Sequence, residues 1–464
     1  MNGASFLQAR KISAAHVIVG ALAVATLWVL LTTDNAQTFL RIGAVSLLSI
    51  ALFATRLLPE IVTAIGCFLA FIALSVVPND VIFSGFASGG FWLMFSGLII
   101  GTTISTTGLG MQIALRIFQR TGDSYVKAAL LLILSGIGLG LLIPSTLPRI
   151  IIMMPIAVSL SKTMGYATGS RGHIGLALSA AVATLLPTYA VLTANLPTII
   201  QIGAVETLYG IRPSYAQYFM EQWPINAVRA LTLIALMVPF ANPRADQASE
   251  LEKPSPFTPV QIRLLLLLAL AIGLWATDGL HGISPAWIAL ALAGVLLVPA
   301  FNLLDPSAMK TKIDMSPLFF LAAVFAISAV AQHSGLAQTV ADFMIPYLHL
   351  GQGGGLRDLY AITGLSALLS HLTTAPAAPA ILAPLASTTA DFTGWSIEAV
   401  SMSQIIGIAT PLLPYQAPPL IIAMAMAQIP AAALTRVCCI LALSGAVIGL
   451  PVTYMWWTYL GVFG

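Results

Sequence analysis

Charged residues are scarce in this chain. Only 8% of its 464 residues are Asp, Glu, Lys or Arg, whereas about a quarter are charged in an ordinary soluble domain. Hydrophobic residues make up 58% of the sequence, and the mean hydropathy is +0.96. This composition excludes a water-soluble globule. The 19 basic residues barely exceed the 16 acidic ones and form no basic block, which argues against a nucleic acid partner.

Cysteine is scarce too. Cys67, Cys438 and Cys439 all lie inside apolar runs, which predicts small buried hydrophobic residues and no disulfide framework. The sequence also lacks a His-Glu-x-x-His metal motif, a phosphate loop, a nucleophile elbow and paired intramembrane aspartates. We therefore predict that the chain is not an enzyme and holds no cofactor or metal, with sodium left open as a coupling ion.

Long apolar runs dominate the sequence instead. The first run is too long for the apolar part of a signal peptide and lacks a cleavage site, so we expect a retained helix. Eleven runs are long enough to cross a bilayer, which predicts an all-α integral membrane protein. They cover about 14–33, 41–57, 61–78, 90–107, 172–202, 223–241, 260–277, 284–301, 316–334, 398–427 and 431–461.

Two further apolar stretches, at about 124–161 and 357–390, are interrupted by prolines in the middle. This pattern predicts two re-entrant helical hairpins, each of which enters and leaves on one side of the membrane. Unpaired backbone groups at such a tip cannot face lipid, so each tip must line a cavity or pack against protein.

The basic residues predict the orientation of the chain. Most of them fall in alternate loops, and only Arg41, Arg212, Arg229 and Arg357 fall on the opposite side. The positive-inside rule then places the N-terminus in the cytoplasm and the C-terminus outside, in the plasma (inner) membrane. Arg149 is the one charge that this arrangement places in no loop.

The two halves of the sequence resemble each other. Ser-Thr-Leu-Pro at 145–148 is similar to Thr-Thr-Ala-Pro at 373–376, and Thr-Gly-Leu at 107–109 is similar to Ser-Gly-Leu at 334–336. Five crossings and one hairpin separate the copies, so the second copy is inverted, a pattern typical of secondary transporters. The predicted divisions are N-terminal scaffold helices at 1–57, a first inverted repeat at 58–243, a cytoplasmic linker at 244–259 and a second inverted repeat at 260–464.

The tip of the first hairpin carries hydroxyl groups between two prolines. Ser145 and Thr146 are well suited to cap the helix that restarts there, and a buried helix N-terminus offers N–H groups to an anion. The alternative is that both hydroxyls bond back within packed helices. Because the pattern occurs at both tips, we predict that both residues bind substrate and coupling ion.

Arg149 lies at the same tip. A charge near the bilayer centre costs about 2.5–3.5 kcal/mol on insertion scales, and the acidic residues fall near span ends or in loops. We therefore predict that Arg149 binds an anionic substrate through its guanidinium group. The alternative is a side chain that reaches back to the cytoplasmic interface.

The second tip also places hydroxyls before a proline. Thr373 and Thr374 are predicted substrate ligands, with Thr373 also a candidate for the coupling ion. His371 is a further candidate, since it could take up and release a proton near neutral pH. The alternative for His371 is a neutral residue that only packs.

Two long spans contain proline-rich breaks. Unwound carbonyl groups and polar side chains at such breaks can bind a hard cation or a substrate. Asn195 and Gln416 are the predicted substrate ligands, and Thr193, Asn195 and Thr410 are predicted to contact the coupling ion. The alternative is a simple proline kink whose amides are satisfied between helices.

Several motifs together resemble the divalent-anion/sodium symporter family, over nearly the whole chain. The stretch LWATDGLHGISPA at 274–286 is similar to the pattern that opens the family's second repeat, and 107–110 and 334–337 resemble the stretches before its hairpins. The resemblance implies an eleven-span homodimer with a dimerising scaffold and a transport domain that moves as an elevator. The family typically has Ser-Asn-Thr at both tips, whereas this chain has Pro-Ser-Thr at 144–146 and His-Leu-Thr at 371–373.

These features predict a secondary active transporter of small, divalent anions such as dicarboxylates, tricarboxylates or sulfate, either cation-coupled or an exchanger. Since both tip asparagines are absent, our hypothesis is that Arg149 supplies, as a fixed charge, part of the compensation that sodium gives elsewhere in the family. The alternatives are an uncoupled anion channel and a cation/proton antiporter. An antiporter would need intramembrane carboxylates, of which the sequence shows none.

Overall fold

The computed structural model describes residues 14–33, 38–75, 77–118, 124–240, 254–351, 353 and 355–463. These residues form helices and no strand, which confirms the predicted all-α class. Nine helices in the described ranges are long and apolar enough to cross a membrane. The predicted linker at 244–259 lies mostly outside the described residues, which resume at 254.

The eleven predicted spans correspond to helices of unequal length. Eight of the nine long apolar helices coincide with predicted spans, and the ninth, Tyr125–Leu142, was predicted to be a hairpin arm. The predicted spans at 61–78 and 284–301 are the shorter helices Glu60–Leu74 and Pro285–Leu297. The span at 398–427 is interrupted between Ile397–Ile408 and Pro418–Ala427. The re-entrant character of the hairpins stays a prediction.

Ten helices of eight or more residues lie before the linker. They are α1 (Ala14–Thr32), α2 (Thr38–Thr55), α3 (Glu60–Leu74), α4 (Gly89–Thr107), α5 (Leu109–Phe118), α6 (Tyr125–Leu142), α7 (Thr146–Thr163), α8 (Arg171–Leu185), α9 (Leu196–Tyr209) and α10 (Tyr215–Met237).

Ten more follow the linker in a similar order. They are α11 (Pro259–Ala276), α12 (Pro285–Leu297), α13 (Ser316–His333), α14 (Leu336–Leu348), α15 (Leu356–Leu372), α16 (Ala386–Thr393), α17 (Ile397–Ile408), α18 (Pro418–Ala427), α19 (Ala431–Ser444) and α20 (Leu450–Leu460). A π-helical segment, Gly445–Gly449, joins α19 to α20. With these two counted as one, the helices from α11 onward number nine, as many as α2 to α10.

Local sequence signals set where these helices begin and end. The Ser88 side chain accepts a hydrogen bond from the backbone of Phe91 and so caps α4. The same helix ends at Gly108, whose positive φ of 69° favours glycine over residues with a Cβ atom. Thr258 and Gln261 form a capping box at the start of α11.

The two halves interlock around a buried interior. Helix α7 of the first half packs against α18 of the second, and α9 packs against both α17 and the short helix Pro379–Leu382. The broken segments between α8 and α9 and between α17 and α18 therefore lie where the halves meet.

The structure corrects two predictions about single residues. Arg229, predicted in a loop, lies in the middle of α10 and is only 2% exposed. Cys439, predicted to be buried, is exposed, whereas Cys67 and Cys438 are buried as expected. All three cysteines are free.

Candidate functional site

The first tip joins α6 to α7 through Ile143, Pro144 and Ser145. Pro144 cannot continue the helix of α6, and the Ser145 backbone N–H donates to the Ile143 carbonyl across 3.0 Å. Ser145 has φ 148° and ψ 133°, a region that is essentially restricted to glycine and costs about 1–3 kcal/mol. It occupies the N-cap position of α7, but its hydroxyl makes no capping bond, so the predicted cap is wrong.

The break between α8 and α9 consists of a short 3-10 helix, Pro187–Ala190, and a turn closed by a hydrogen bond from the Ala194 N–H to the Val191 carbonyl, after which Asn195 is extended. Thr188, Thr193 and Asn195 are all at most 1% exposed. The Asn195 side-chain amide donates to the Thr188 hydroxyl across 3.2 Å. This bond holds the two ends of the break together.

Arg149 joins the tip to this break. Its Nε donates to the Ser145 carbonyl across 3.1 Å. One terminal nitrogen, NH2, lies 3.0 Å from the Thr146 hydroxyl, 2.6 Å from the Ala194 carbonyl and 3.1 Å from Asn195 Oδ1. The Thr146 hydroxyl also donates to Asn195 Oδ1 across 2.7 Å. Four of the predicted ligands, Ser145, Thr146, Arg149 and Asn195, therefore form one hydrogen-bonded cluster.

The charge of this cluster is not balanced by a carboxylate. Arg149 is 0% exposed, and no Asp or Glu of the described residues forms an ion pair with it. Its other terminal nitrogen, NH1, is buried and has no hydrogen-bond partner. The Arg149 side chain has no exposed surface, which argues against the alternative that it extends to the cytoplasmic interface. An unpaired buried cation is costly, which makes an anion a fitting partner.

The second tip repeats the arrangement with different groups. The Ala375 backbone N–H donates to the Gln416 carbonyl across 3.3 Å, so this tip also touches the break of its own half. The Gln416 Oε1 accepts from the backbone N–H groups of Leu412 and Leu413, each across 2.8 Å. Its Nε2 is buried without a partner, so this nitrogen is free to donate to a ligand.

The remaining residues of the second tip are less buried. The Thr373 hydroxyl donates to the Leu369 carbonyl across 2.7 Å. This is the alternative in which a tip hydroxyl bonds back within its own helix. Thr374 is half-buried beside it. His371 contacts the Ala367 carbonyl through Nδ1, and its Nε2 is buried without a partner. These residues adjoin the tip but form no cluster like that of Arg149.

A second buried guanidinium lies close to the second break. Arg229 donates to Asn226 Oδ1 across 3.0 Å, to the Ile406 carbonyl across 3.2 Å and to the Thr410 hydroxyl across 2.8 Å. Thr410, predicted to contact the coupling ion, therefore already binds a fixed cation. The polar pair Asn226 and Arg229, three residues apart within an apolar span, is the sequence signal that could have located this cluster.

Some of the carboxylates near helix ends are buried. Asp358 is 0% exposed near the start of α15, with Arg357 3.6 Å away, and Glu221 is 3% exposed in α10. Both residues lie near helix ends, as their sequence positions indicate, and the packing of neighbouring helices buries their side chains.

The sequence matches the family described as the sodium:sulfate symporter transmembrane region over residues 12–463. A membrane protein of Cupriavidus necator is 25% identical over 352 residues, which are 72% of this chain and 68% of that protein. The L-tartrate/succinate antiporter of Escherichia coli K12 is 24% identical over 266 residues, about half (54%) of each chain.

Two solved structures share the fold at low sequence identity. The YdaH transporter of Alcanivorax borkumensis superposes with a TM-score of 0.56 at 17% identity and covers 85% of this chain and 90% of its own. MtrF of Neisseria gonorrhoeae superposes with a TM-score of 0.55 at 15% identity, covering 81% of this chain and 82% of its own. Since the family match spans nearly the whole sequence, the chain belongs to the sodium:sulfate symporter family of membrane transporters.

Proposed function

We propose that this transporter exchanges small divalent organic anions, of the dicarboxylate class, across the plasma membrane. The observation that carries the proposal is Arg149, a fully buried guanidinium without a carboxylate partner at the first tip. The similarity to an L-tartrate/succinate antiporter supports both the substrate class and the exchange.

The surroundings of Arg149 support transport without sodium. Its guanidinium contacts two carbonyl oxygens, a hydroxyl and an amide oxygen, and these are the ligand types that a hard cation prefers. Arg149 brings a fixed positive charge to these oxygens, so a sodium ion is not needed to balance the substrate's charge. Arg229 holds the Thr410 hydroxyl in the same way.

The two tips offer separate donors to the two ends of a dicarboxylate. At the first tip, Arg149 NH1 and the uncapped Ser145 hydroxyl are free to donate. At the second, Gln416 Nε2 and the Thr374 hydroxyl are the candidates, and the Thr373 hydroxyl would join them only by giving up its bond to the Leu369 carbonyl. Because Arg149 is fully buried, binding requires the first tip to move away from the break.

The test is counterflow in proteoliposomes. Vesicles loaded with unlabelled succinate take up labelled succinate from outside, in sodium or in choline medium at matched pH and potential. We expect saturable uptake that internal succinate stimulates and that sodium does not change. Uptake that requires a sodium gradient and gains nothing from internal succinate would overturn exchange. Non-saturable flux would favour a channel.

The Arg149→Gln variant tests the tethered cation directly. Glutamine keeps a side-chain donor but removes the charge, so succinate exchange should fall at least tenfold or become dependent on added sodium. Arg212→Gln, which removes an exposed arginine whose nearest carboxylate lies 3.7 Å away, is the matched control. Unchanged exchange in Arg149→Gln would remove Arg149 from the site.

The proposal also includes the arrangement that the family resemblance implies. The protein is a homodimer in which a transport domain carries the site across the membrane as an elevator, with the N-terminus in the cytoplasm. A cross-link between the first tip and α4 that arrests exchange reversibly would support the movement.

A further inference from the structure

A cavity that no tip residue lines lies where three helix ends meet. It has a volume of about 370 Å³ and is lined by the first two turns of α10, the start of α17 and the end of α20. The lining residues are Gln217, Met220, Glu221, Ser396, Glu398 and 460–462. Two carboxylates face this cavity, and none of the residues that line it is basic.

Glu221 is the residue that ordinary packing does not explain. It is 3% exposed, and its Oε1 accepts from Gln217 Nε2 across 2.9 Å. Its Oε2 is buried without a partner, although an unpaired buried charge is costly. As the seventh residue of α10 it lies beyond the first turn, where the helix dipole would stabilise a carboxylate.

Glu398 faces the same cavity from α17. It lies in the first turn of that helix, where a negative charge is favourable, but its Oε1 is also buried without a partner. Glu398 thus adds a second negative charge to the cavity that Glu221 lines, and Gln217, which donates to Glu221, lines it too. No Lys or Arg in the described part of the chain forms an ion pair with either.

The backbone around Glu221 is fixed by two indoles from α20. Trp456 Nε1 donates to the Met220 carbonyl and Trp457 Nε1 to the Glu221 carbonyl, each across 2.7 Å. The end of α20, at Leu460 and Gly461, lines the cavity with the negative end of a helix dipole. The cavity is therefore preformed, oxygen-rich and negative.

We propose that this cavity binds a hydrated divalent cation such as Ca²⁺ between Glu221 and Glu398. Two carboxylates neutralise a divalent ion, and carbonyl, amide and water oxygens complete the shell that such a hard cation prefers. At about 30 Å³ for each water, the cavity accommodates the ion with its hydration shell. The site joins α10, α17 and α20 and is separate from the proposed anion site.

The test uses terbium as the probe, on the purified full chain in detergent. Trp456 and Trp457 lie beside the cavity, so a bound Tb³⁺ ion should show luminescence sensitised by tryptophan. We expect saturable luminescence that Ca²⁺ displaces with a midpoint of about 10⁻⁴–10⁻³ M. In Glu221→Gln, the affinity for Tb³⁺ should fall at least tenfold.

Two further variants make the result decisive. Glu398→Gln, at a half-buried position in a first helical turn, should weaken Tb³⁺ binding even if Glu221→Gln fails to fold. Asp342→Asn, at an exposed carboxylate that accepts a hydrogen bond from Gln338, should bind Tb³⁺ like the unmodified chain. The proposal would be overturned by the absence of a sensitised signal, or by Tb³⁺ binding in both Glu variants that equals binding by the unmodified chain. The proposal would also be overturned if Ca²⁺ fails to displace the Tb³⁺ signal and if, in addition, the thermal stability depends on pH only in chains that keep Glu221. This combination would indicate that Glu221 binds a proton and not a metal ion. Because binding is measured at equilibrium, the result is independent of succinate exchange.

Discussion

The NH2 nitrogen of Arg149 lies 3.1 Å from Oδ1 of Asn195, although the two residues are 46 positions apart in the chain. The contact connects the first tip to the break between α8 and α9, so neither can move alone without losing it. The neutral amide oxygen of Asn195 thus partly occupies the position in which a substrate carboxylate would bind the Arg149 guanidinium. The substrate must compete with Asn195 for this guanidinium.

Asn195→Asp is expected to abolish exchange without lowering stability. The substitution places a permanent carboxylate beside Arg149, and a buried guanidinium pairs with a carboxylate more strongly than with an amide. The Thr188 hydroxyl can rotate to donate to the new oxygen. We expect succinate exchange to fall at least tenfold while the melting temperature in detergent stays equal or rises.

Asn195→Ala is the control for that substitution. It removes the acceptor from Arg149 and Thr146 and should lower the free energy of unfolding by about 1–3 kcal/mol. Exchange by Asn195→Asp at the normal rate would show that Arg149 does not meet the substrate.

Gln416 separates a structural role from a binding role within one side chain. Its Oε1 accepts two backbone N–H groups, whereas its Nε2 is unpartnered. Gln416→Glu keeps the acceptor for both N–H groups and replaces the donor with a carboxylate oxygen, so anion exchange should be lost, and the buried charge should lower stability. Gln416→Ala leaves both N–H groups unpaired and should cost about 1–3 kcal/mol of unfolding free energy. Equal exchange by Gln416→Glu and the unmodified chain would place Nε2 outside the site.

The helical fold could be predicted from the sequence because apolar length and proline position act locally. The span at 316–334 is found as α13, Ser316–His333. The broken stretch at 124–161 is found as α6 and α7, and the one at 357–390 as α15, the short helix Pro379–Leu382 and α16. The lengths of α3 and α12 could not be predicted, since the last residues of an apolar run can be either helical or extended. The packing of the two halves decides which conformation they adopt, and hydropathy contains no information on this packing.

The site was partly predictable for a similar reason. Arg149 was identifiable because a charge inside an apolar run needs a partner, and Ser145, Thr146 and Asn195 because they flank prolines. The Ala194 carbonyl and Thr188 were not identifiable, since a backbone oxygen has no sequence signature and threonine is common in such helices. Arg229 was missed because its position near the end of a predicted span allowed it to be assigned to a loop.

Gly97 in α4 provides a test of how closely the first tip approaches its neighbour. A Cβ atom at this position would lie 3.0 Å from the Pro144 carbonyl oxygen and 3.1 Å from its Cβ. Gly97→Ala should therefore push the tip away, at a cost of about 1–3 kcal/mol, and slow exchange several-fold. Gly66→Ala in α3, where nothing lies within 4 Å of the added atom, is the matched control and should exchange normally. Equal rates for the two variants would indicate that α4 does not restrain the tip.

Ser145 combines a strained backbone with a hydroxyl that makes no capping bond. Ser145→Gly removes both, since glycine tolerates a φ of 148°, and should raise the free energy of unfolding by about 1 kcal/mol. Ser145→Ala removes the hydroxyl but keeps the strain, so its stability should stay near that of the unmodified chain. If the hydroxyl donates to the substrate, both variants should show a higher KM for succinate, by about fivefold for one lost hydrogen bond. A higher KM in Ser145→Gly alone would show that the strained tip, and not the hydroxyl, sets substrate affinity.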